Sequence, residues 1–337
     1  MRAIAALNAG SSSVKLAVFD ERTLEPIVRE SISIESGETH EGAIDRVIER
    51  ALGALRSRDL DIRAFGHRIV HGGGRDRPCK ITDDVLAELR GLAPLAPLHQ
   101  LHGLAGVAAA RRAAPDAIHV ACFDTSFHLT APEVARRYAL PVAYRHLVAY
   151  GFHGLSYEYI ASQLPAGCGR AIAAHLGSGA SMCALRDRVS IATTMGMTPL
   201  DGLVMSTRCG ALDPGVVLYL VEEHGLPPEE LRRELYERGG LLGVSGTSGD
   251  MKVLLASSDP RAEQAVELFV YRAVRAIGSL AAALGGLDAL VFTGGIGEHA
   301  EIIRSRIEAR SRWLGDFATL VIPTDEELVI ARHVACT

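Results

Sequence analysis

Two stretches of this 337-residue chain carry groups able to hold a phosphate. In AIAAHLGSGASMCAL, residues 171–185, a short apolar run breaks at Gly177-Ser178-Gly179 and resumes at Ala180. That pattern predicts two antiparallel strands joined by a tight turn. The backbone N–H groups of such a turn are unshielded and can form a nest for an anion, although an isolated glycine turn is more often a plain hairpin. Residues 3–19, AIAALNAGSSSVKLAVF, repeat the plan, with Gly10-Ser11-Ser12-Ser13 as the turn and Lys15 just beyond it, within reach of a phosphate. The repetition predicts a duplicated fold with a phosphate site between its halves. No GxxxxGK[ST] occurs, so this is not a P-loop.

Other residues add to that chemistry. DALVFTGGIGE, residues 288–298, reads as a strand entering glycines and then a helix, either a second nucleotide-binding element or simple tight packing. With the two hairpins it points to ATP rather than a dinucleotide. Arg68 and Arg208 each sit near a glycine turn. A guanidinium presents a planar fork to carboxylate or phosphate, yet most arginines form surface ion pairs. His99, His153 and His175 lie in Gly- or Pro-bearing segments, whereas His71 and His128 read as structural. Asp124 closes a buried strand, where it can bind metal, orient a base or cap a helix.

The elements that must position these groups alternate between strand and helix. Ile44, Val47, Ile48, Ala51, Leu52 and Leu55 have helical spacing with one buried face. Residues 82–91 predict a helix opened by Thr82, and 117–123 a buried strand whose carboxyl end carries FDTSFH. Asp213-Pro214 and Pro227-Pro228 start helices. Residues 260–284 predict a long helix buried on most sides, and 317–323 a last strand before a helix from Thr324. The expected organisation is 1–148 as an N-terminal domain completed by helix 327–337, with 149–326 as a C-terminal nucleotide-binding domain.

A net charge of −5 and only 5% aromatic residues argue against nucleic acid as a partner. The apolar region 276–292 is cut by Gly285, Gly286 and Asp288, too soon for a membrane span, and the N-terminal run is cut by Asn8, unlike a signal peptide. Six cysteines without a CxxC pair suit a reducing, cytoplasmic setting rather than a zinc or redox site.

LNAGSSSVK (7–15), GHRIVHGG (66–73), FDTSFH (123–128), YGFHG (150–154), HLGSGAS (175–181), TRCGALDPG (207–215), FTGGIGE (292–298) and PTDEELVIAR (323–332) together resemble the serial motifs of the acetate and propionate kinase family. Their order is right and they span nearly the whole chain. The resemblance implies an α/β, duplicated actin-like ATPase (ribonuclease H-like) two-domain fold with an interdomain cleft. It implies reversible phosphoryl transfer from ATP to acetate in a homodimer, with Mg²⁺ or Mn²⁺. Propionate or butyrate kinases of the same family are the near alternative, and an actin- or heat-shock-type ATPase clamp the distant one. A clamp has no need of paired arginines beside a small apolar pocket.

By that resemblance Asn8 and Glu326 would hold the metal. Arg68 and Arg208 would grip the carboxylate and the transferring phosphoryl group, with His153 stabilising the transition state and Asp124 as polar partner. Val70, Leu98, His99, Phe152 and Pro199 would shape the substrate site, accepting acetate before propionate and excluding longer acids. Lys15, His175, Leu176, Gly177, Ser178, Gly179, Asp250, Met251, Lys252, Gly295, Ile296, Gly297, Glu298 and His299 would serve the nucleotide. Binding would draw the halves together about hinges near 145–152 and 324–328. The chain departs from the family pattern at Ser178 and His299, where asparagines are usual, at Tyr157 in HGLSY, and at Lys252, Cys209 and Ala211. It is also shorter than usual between Glu298 and Pro323.

Overall fold

The computed structural model describes residues 2–10, 13–34, 39–55, 60–97 and 99–337. Ser11 and Ser12 of the first turn, and Leu98, lie outside the described residues. The chain forms two compact units. The first contains 1–129, 152–159 and 325–337, the second 130–151 and 160–324. These limits differ from the sequence-based ones at 148/149 and 326/327. Segment 130–151 goes with the second unit because Thr130 Oγ1 donates to Ser190 O, while Tyr150 and Gly151 N–H donate to Gly196 O. Segment 152–159 returns to the first, where Gly154 N–H donates to Asp124 O at 2.9 Å.

In the first unit the strands are β1 (Arg2–Ala9), β2 (Ser13–Asp20), β3 (Pro26–Ser33), β4 (Asp61–Ile69), β5 (Cys79–Lys80) and β6 (Ile118–Phe123), ordered β3-β2-β1-β4-β6-β5. β1 and β2 form the expected antiparallel hairpin, and β4 and β6 continue the sheet in parallel. β3 carried no sequence signal, because half of its eight residues are polar, no strict alternation runs through it and only Ile32 is buried. β1 is buried on both faces, so it reads as a continuous apolar run. Its side chains alternate: Ala3, Ala5 and Leu7 face the helix His40–Leu55, and Ile4 and Ala6 face the C-terminal helix Glu326–Ala335 through Val329, Ile330 and Val334.

The second unit repeats the plan. Its strands are β7 (Arg170–Leu176), β8 (Ala180–Arg186), β9 (Val189–Thr193), β10 (Ala289–Thr293) and β11 (Ala318–Val321), ordered β11-β10-β7-β8-β9. β7, β8 and β9 form an antiparallel meander, and β10 and β11 extend it in parallel from β7. Read outward from β1 and β7, both sheets have the same order and polarity apart from β5, which has no counterpart among the described residues, as the twin Gly/Ser turns predicted. The helix Pro260–Leu284 packs on this sheet through one stripe, including Val266, Phe269, Val270, Ala273 and Ile277. Tyr271 on its other side is 54% exposed, so burial on most sides was an overestimate. No helix among the described residues is long and apolar enough to cross a membrane.

Gly66 in β4 allows the C-terminal helix to approach the first sheet. A Cβ there would stand 2.3 Å from Ile330 Cγ2 and 2.7 Å from Val334 Cγ2. Gly66→Ala is expected to push the helix off the sheet and destabilise the fold by about 1–3 kcal/mol. Thermal melts check this, and an unchanged midpoint would contradict the packing.

Candidate active site

Three parallel neighbours, β1, β4 and β6, end side by side in the first unit, at the edge where α/β sheets bind ligands. Each contributes a polar group there. Arg68 on β4 donates from Nε to both Asp124 oxygens at 3.1 Å and from Nη2 to Oδ2 at 2.7 Å. Its Nη1 donates to Asn8 Oδ1 at 3.1 Å and lies 3.5 Å from Glu326. Asn8 Nδ2 in turn donates to Glu326 at 2.8 Å and to Glu327 at 2.7 Å. The two glutamates open the C-terminal helix, where its dipole favours negative charge, and Asp325 N-caps that helix through Leu328 N–H. Lys15 pairs across the hairpin with Asn8, and its charge acts on Glu327.

Burial shapes the charges of this cluster. It pushes the Asp124 carboxyl up, against the adjacent Arg68 guanidinium and a hydrogen bond from His153 N–H. Burial alone would lower Arg68, but Asp124 and Glu326 outweigh it and hold the guanidinium above its ordinary value. Glu327 is likewise pushed up by burial, with Lys15 opposing and Glu326 reinforcing the shift. Nearby, burial pushes the His71 imidazole down to about 4, so it is neutral at pH 7. Gly73 N–H donates to His71 Nδ1 at 3.0 Å, and the ring meets Phe152 edge-on at 5.7 Å.

His153, Phe152 and Val70 also lie in the first unit, Phe152 and Val70 both buried. His99 stands at the start of the helix Gln100–Ala113. Arg208 and Pro199 belong to the second unit, where Arg208 is buried and donates from Nη1 to Pro199 O at 2.7 Å.

The second unit holds a cavity of about 730 Å³ at the ends of β7 and β10. Gly177, Ser178, Asp250, Met251, Lys252, Gly295, Ile296 and His299 line it, all sequence-predicted. Ser206, Gly249, Leu255 and Ala300 complete the wall and were not predicted. Ser206 N–H donates to Ser178 O at 3.1 Å, which ties the residue just before TRCG to the glycine turn. His175, Leu176, Gly179 and Gly297 form the framework behind this wall: Leu176 is fully buried, and Gly179 O closes the turn onto Gly177 N–H at 3.1 Å. Glu298 turns back instead, accepting from Gly294 N–H at 2.9 Å, so this amide at the helix start already has a partner. Lys15 belongs to the first unit's cluster, not to this cavity.

The Acetokinase family profile matches residues 27–316. The chain belongs to the acetokinase family. It is 46% identical to the acetate kinase of Rhodopseudomonas palustris (strain TIE-1), over 97% of this chain and 96% of the relative. It is 43% identical to the acetate kinase of Methylocella silvestris, over 98% and 97%. The first of these alignments runs over 386 residues, more than the 337 of this chain, so the relative carries residues that this acetokinase lacks. Among solved structures, the propionate kinase of Francisella tularensis subsp. tularensis SCHU S4 superposes with a TM-score of 0.88 at 34% identity, covering 99% of both chains. The acetate kinase of Porphyromonas gingivalis gives 0.81 at 32%, covering 98% of both. The two like-ordered sheets are the duplicated actin-like ATPase fold of this family.

Glu327 was missed by the sequence reading, although the adjacent acids of PTDEEL were visible. A carboxyl whose folded pKa lies above its unfolded value adds stability below that unfolded value and loses it as pH rises through the folded one. Glu327→Gln keeps an acceptor for Asn8 and removes the buried charge. The variant is expected to melt higher than the parent at about pH 8, with the gap closing towards about pH 4. Melting curves at both values check this, and a lower melting point at the higher pH would contradict it.

Proposed function

We propose that this acetokinase transfers the γ-phosphoryl group of ATP reversibly to acetate, giving acetyl phosphate and ADP. The observation that carries the reading is the part-buried Arg68 fork, fixed by Asp124 and Asn8 at the ends of three strands. A guanidinium has five N–H donors. Nε and Nη2 engage Asp124, and Nη1 engages Asn8 and faces Glu326, so the plane of the fork that would meet a carboxylate or phosphoryl oxygen is fixed. A carboxylate is already a nucleophile, so the reaction asks for orientation and charge neutralisation rather than a base. Asp124 accordingly orients Arg68 and does not take a proton. Arg208 is assigned to the transferring phosphoryl group and His153 to its developing charge. The lined cavity of the second unit is assigned to ATP.

The Glu326 and Glu327 carboxylates lie together as hard oxygen donors beside Asn8, whose Nδ2 meets them while its Oδ1 accepts from Arg68. Mg²⁺ keeps several waters and phosphate oxygens and needs few protein ligands, so this donor set fits it. When bound with the nucleotide, the ion would neutralise phosphate charge. Propionate is the second reading, favoured by the likeness to the Francisella propionate kinase. A cytoplasmic homodimer completes the proposal. The helix Pro214–Glu222 buries none of its residues and exposes Val216, Leu218, Tyr219 and Val221, an apolar face suited to a second copy. A monomer by light scattering would contradict that part.

A hydroxamate assay for acyl phosphate across acetate, propionate, butyrate and formate tests the main reading. Acetate should give the most product, propionate less and butyrate little. Arg68→Ala or Arg208→Ala should each lower turnover by orders of magnitude in folded protein, as loss of a charge-stabilising contact costs about 3–4 kcal/mol. No acyl phosphate from any acid, or near-normal turnover in both variants, overturns it.

A further inference from the structure

His153 is a non-glycine residue in the left-handed region, with φ of 58°. Such a backbone costs about 1–3 kcal/mol and persists only where the surroundings over-determine it. Here they do so from several sides. His153 N–H bonds the Asp124 side chain. Gly154 N–H donates to Asp124 O at 2.9 Å, and a Cβ at 154 would stand 2.2 Å from that oxygen, which only glycine avoids. His153 O accepts the first helical bond, from Tyr157 N–H at 3.0 Å. The remaining anchor lies on the peptide before His153. His128 Nε2 stands 2.9 Å from Phe152 O. A carbonyl only accepts, so Nε2 carries the proton.

The His128 ring is itself locked. It is 1% exposed and sits in the turn Ser126–Thr130 directly after Asp124 and Thr125. Phe127 and Tyr157 meet it edge-on at 5.8 and 5.6 Å. Tyr157, fully buried, stands where the family pattern has a histidine. Every one of these contacts lies within the first unit.

We propose that His128 is a positioning residue for the phosphoryl-transfer step. Its Nε2–H holds the Phe152 carbonyl, and through that peptide it fixes both the Phe152 ring and the left-handed His153. Tyr157 holds the His128 ring in the donating orientation. The proposal rests on the role given above to His153, and it names a residue that the sequence reading left as structural.

The test compares two amides of different reach. Gln places its NH₂ close to the position of Nε2, whereas the shorter Asn does not. His128→Gln should keep turnover within a few-fold of the parent. His128→Asn and His128→Leu should lose about 10–100-fold in kcat, as expected for a catalytic group displaced by about an ångström. The KM for ATP should stay unchanged in all three, because the ATP cavity lies in the other unit. Turnover is counted per folded molecule, with the folded fraction taken from circular dichroism, so a merely stabilising role would leave kcat unmoved. Parental kcat in folded His128→Asn, or equal loss in the Gln and Asn variants, overturns the proposal. If His128→Leu does not fold, the Gln–Asn pair alone decides. Absence of acyl phosphate from the parent enzyme would refute the acetate kinase reading instead.

Discussion

The ion pair of part-buried Arg68 with buried Asp124 is the constraint around which the first unit is built. Removing two charges from water costs several kcal/mol each, and such pairs rarely repay that in stability. Here the cost is offset by a nearly complete set of partners: Asp124 receives Nε and Nη2 of Arg68 and the His153 amide, and Asn8 receives Nη1. The pair holds the guanidinium in one orientation. A lysine would supply the charge but not the planar fork. Stability is thus spent on preorganisation, which is what phosphoryl transfer needs.

The same edge of the sheet gathers further unfavourable features. Two adjacent glutamates start one helix, and both accept from a single asparagine amide. A left-handed histidine starts another. Burial raises Asp124 and Glu327 and lowers His71. Perturbed groups of this kind cluster where chemistry is done. They are tolerated because β1, β4 and β6 beneath them are apolar and tightly packed, with Ile4, Leu7 and Phe65 nearly solvent-free.

The duplicated sheets have been put to different uses. In the first unit the strand ends carry charged side chains; in the second, the wall of the cavity is rich in glycine and serine backbone, joined by Asp250, Lys252 and His299. One repeated design of strand, Gly/Ser turn and strand therefore supports two kinds of recognition. Under the proposed function, the ionised side chains orient a small acceptor and the glycine-lined cavity takes the larger polyanion.

Much of this was legible in the sequence because it is local. Turn chemistry marked both hairpins, period-3.6 spacing marked the helix His40–Leu55, and Asp-Pro marked the start of Pro214–Glu222. Ordered motifs brought Asn8, Arg68, Asp124 and Glu326 to notice, and the cavity walls around Gly177, Asp250 and Gly295. The tertiary structure decided what depends on meeting across the chain. Asn8 bonds Glu326 and Glu327 from 318 and 319 positions away, and no local period reports such a contact. Glu298 faces its own helix start rather than the cavity, because an unpaired amide lay within its reach. The strand β3 is half polar and recruited by its neighbour, so its pattern hid it. His128 gained its place only when the chain returned at Phe152, since a buried imidazole is defined by what its nitrogen meets.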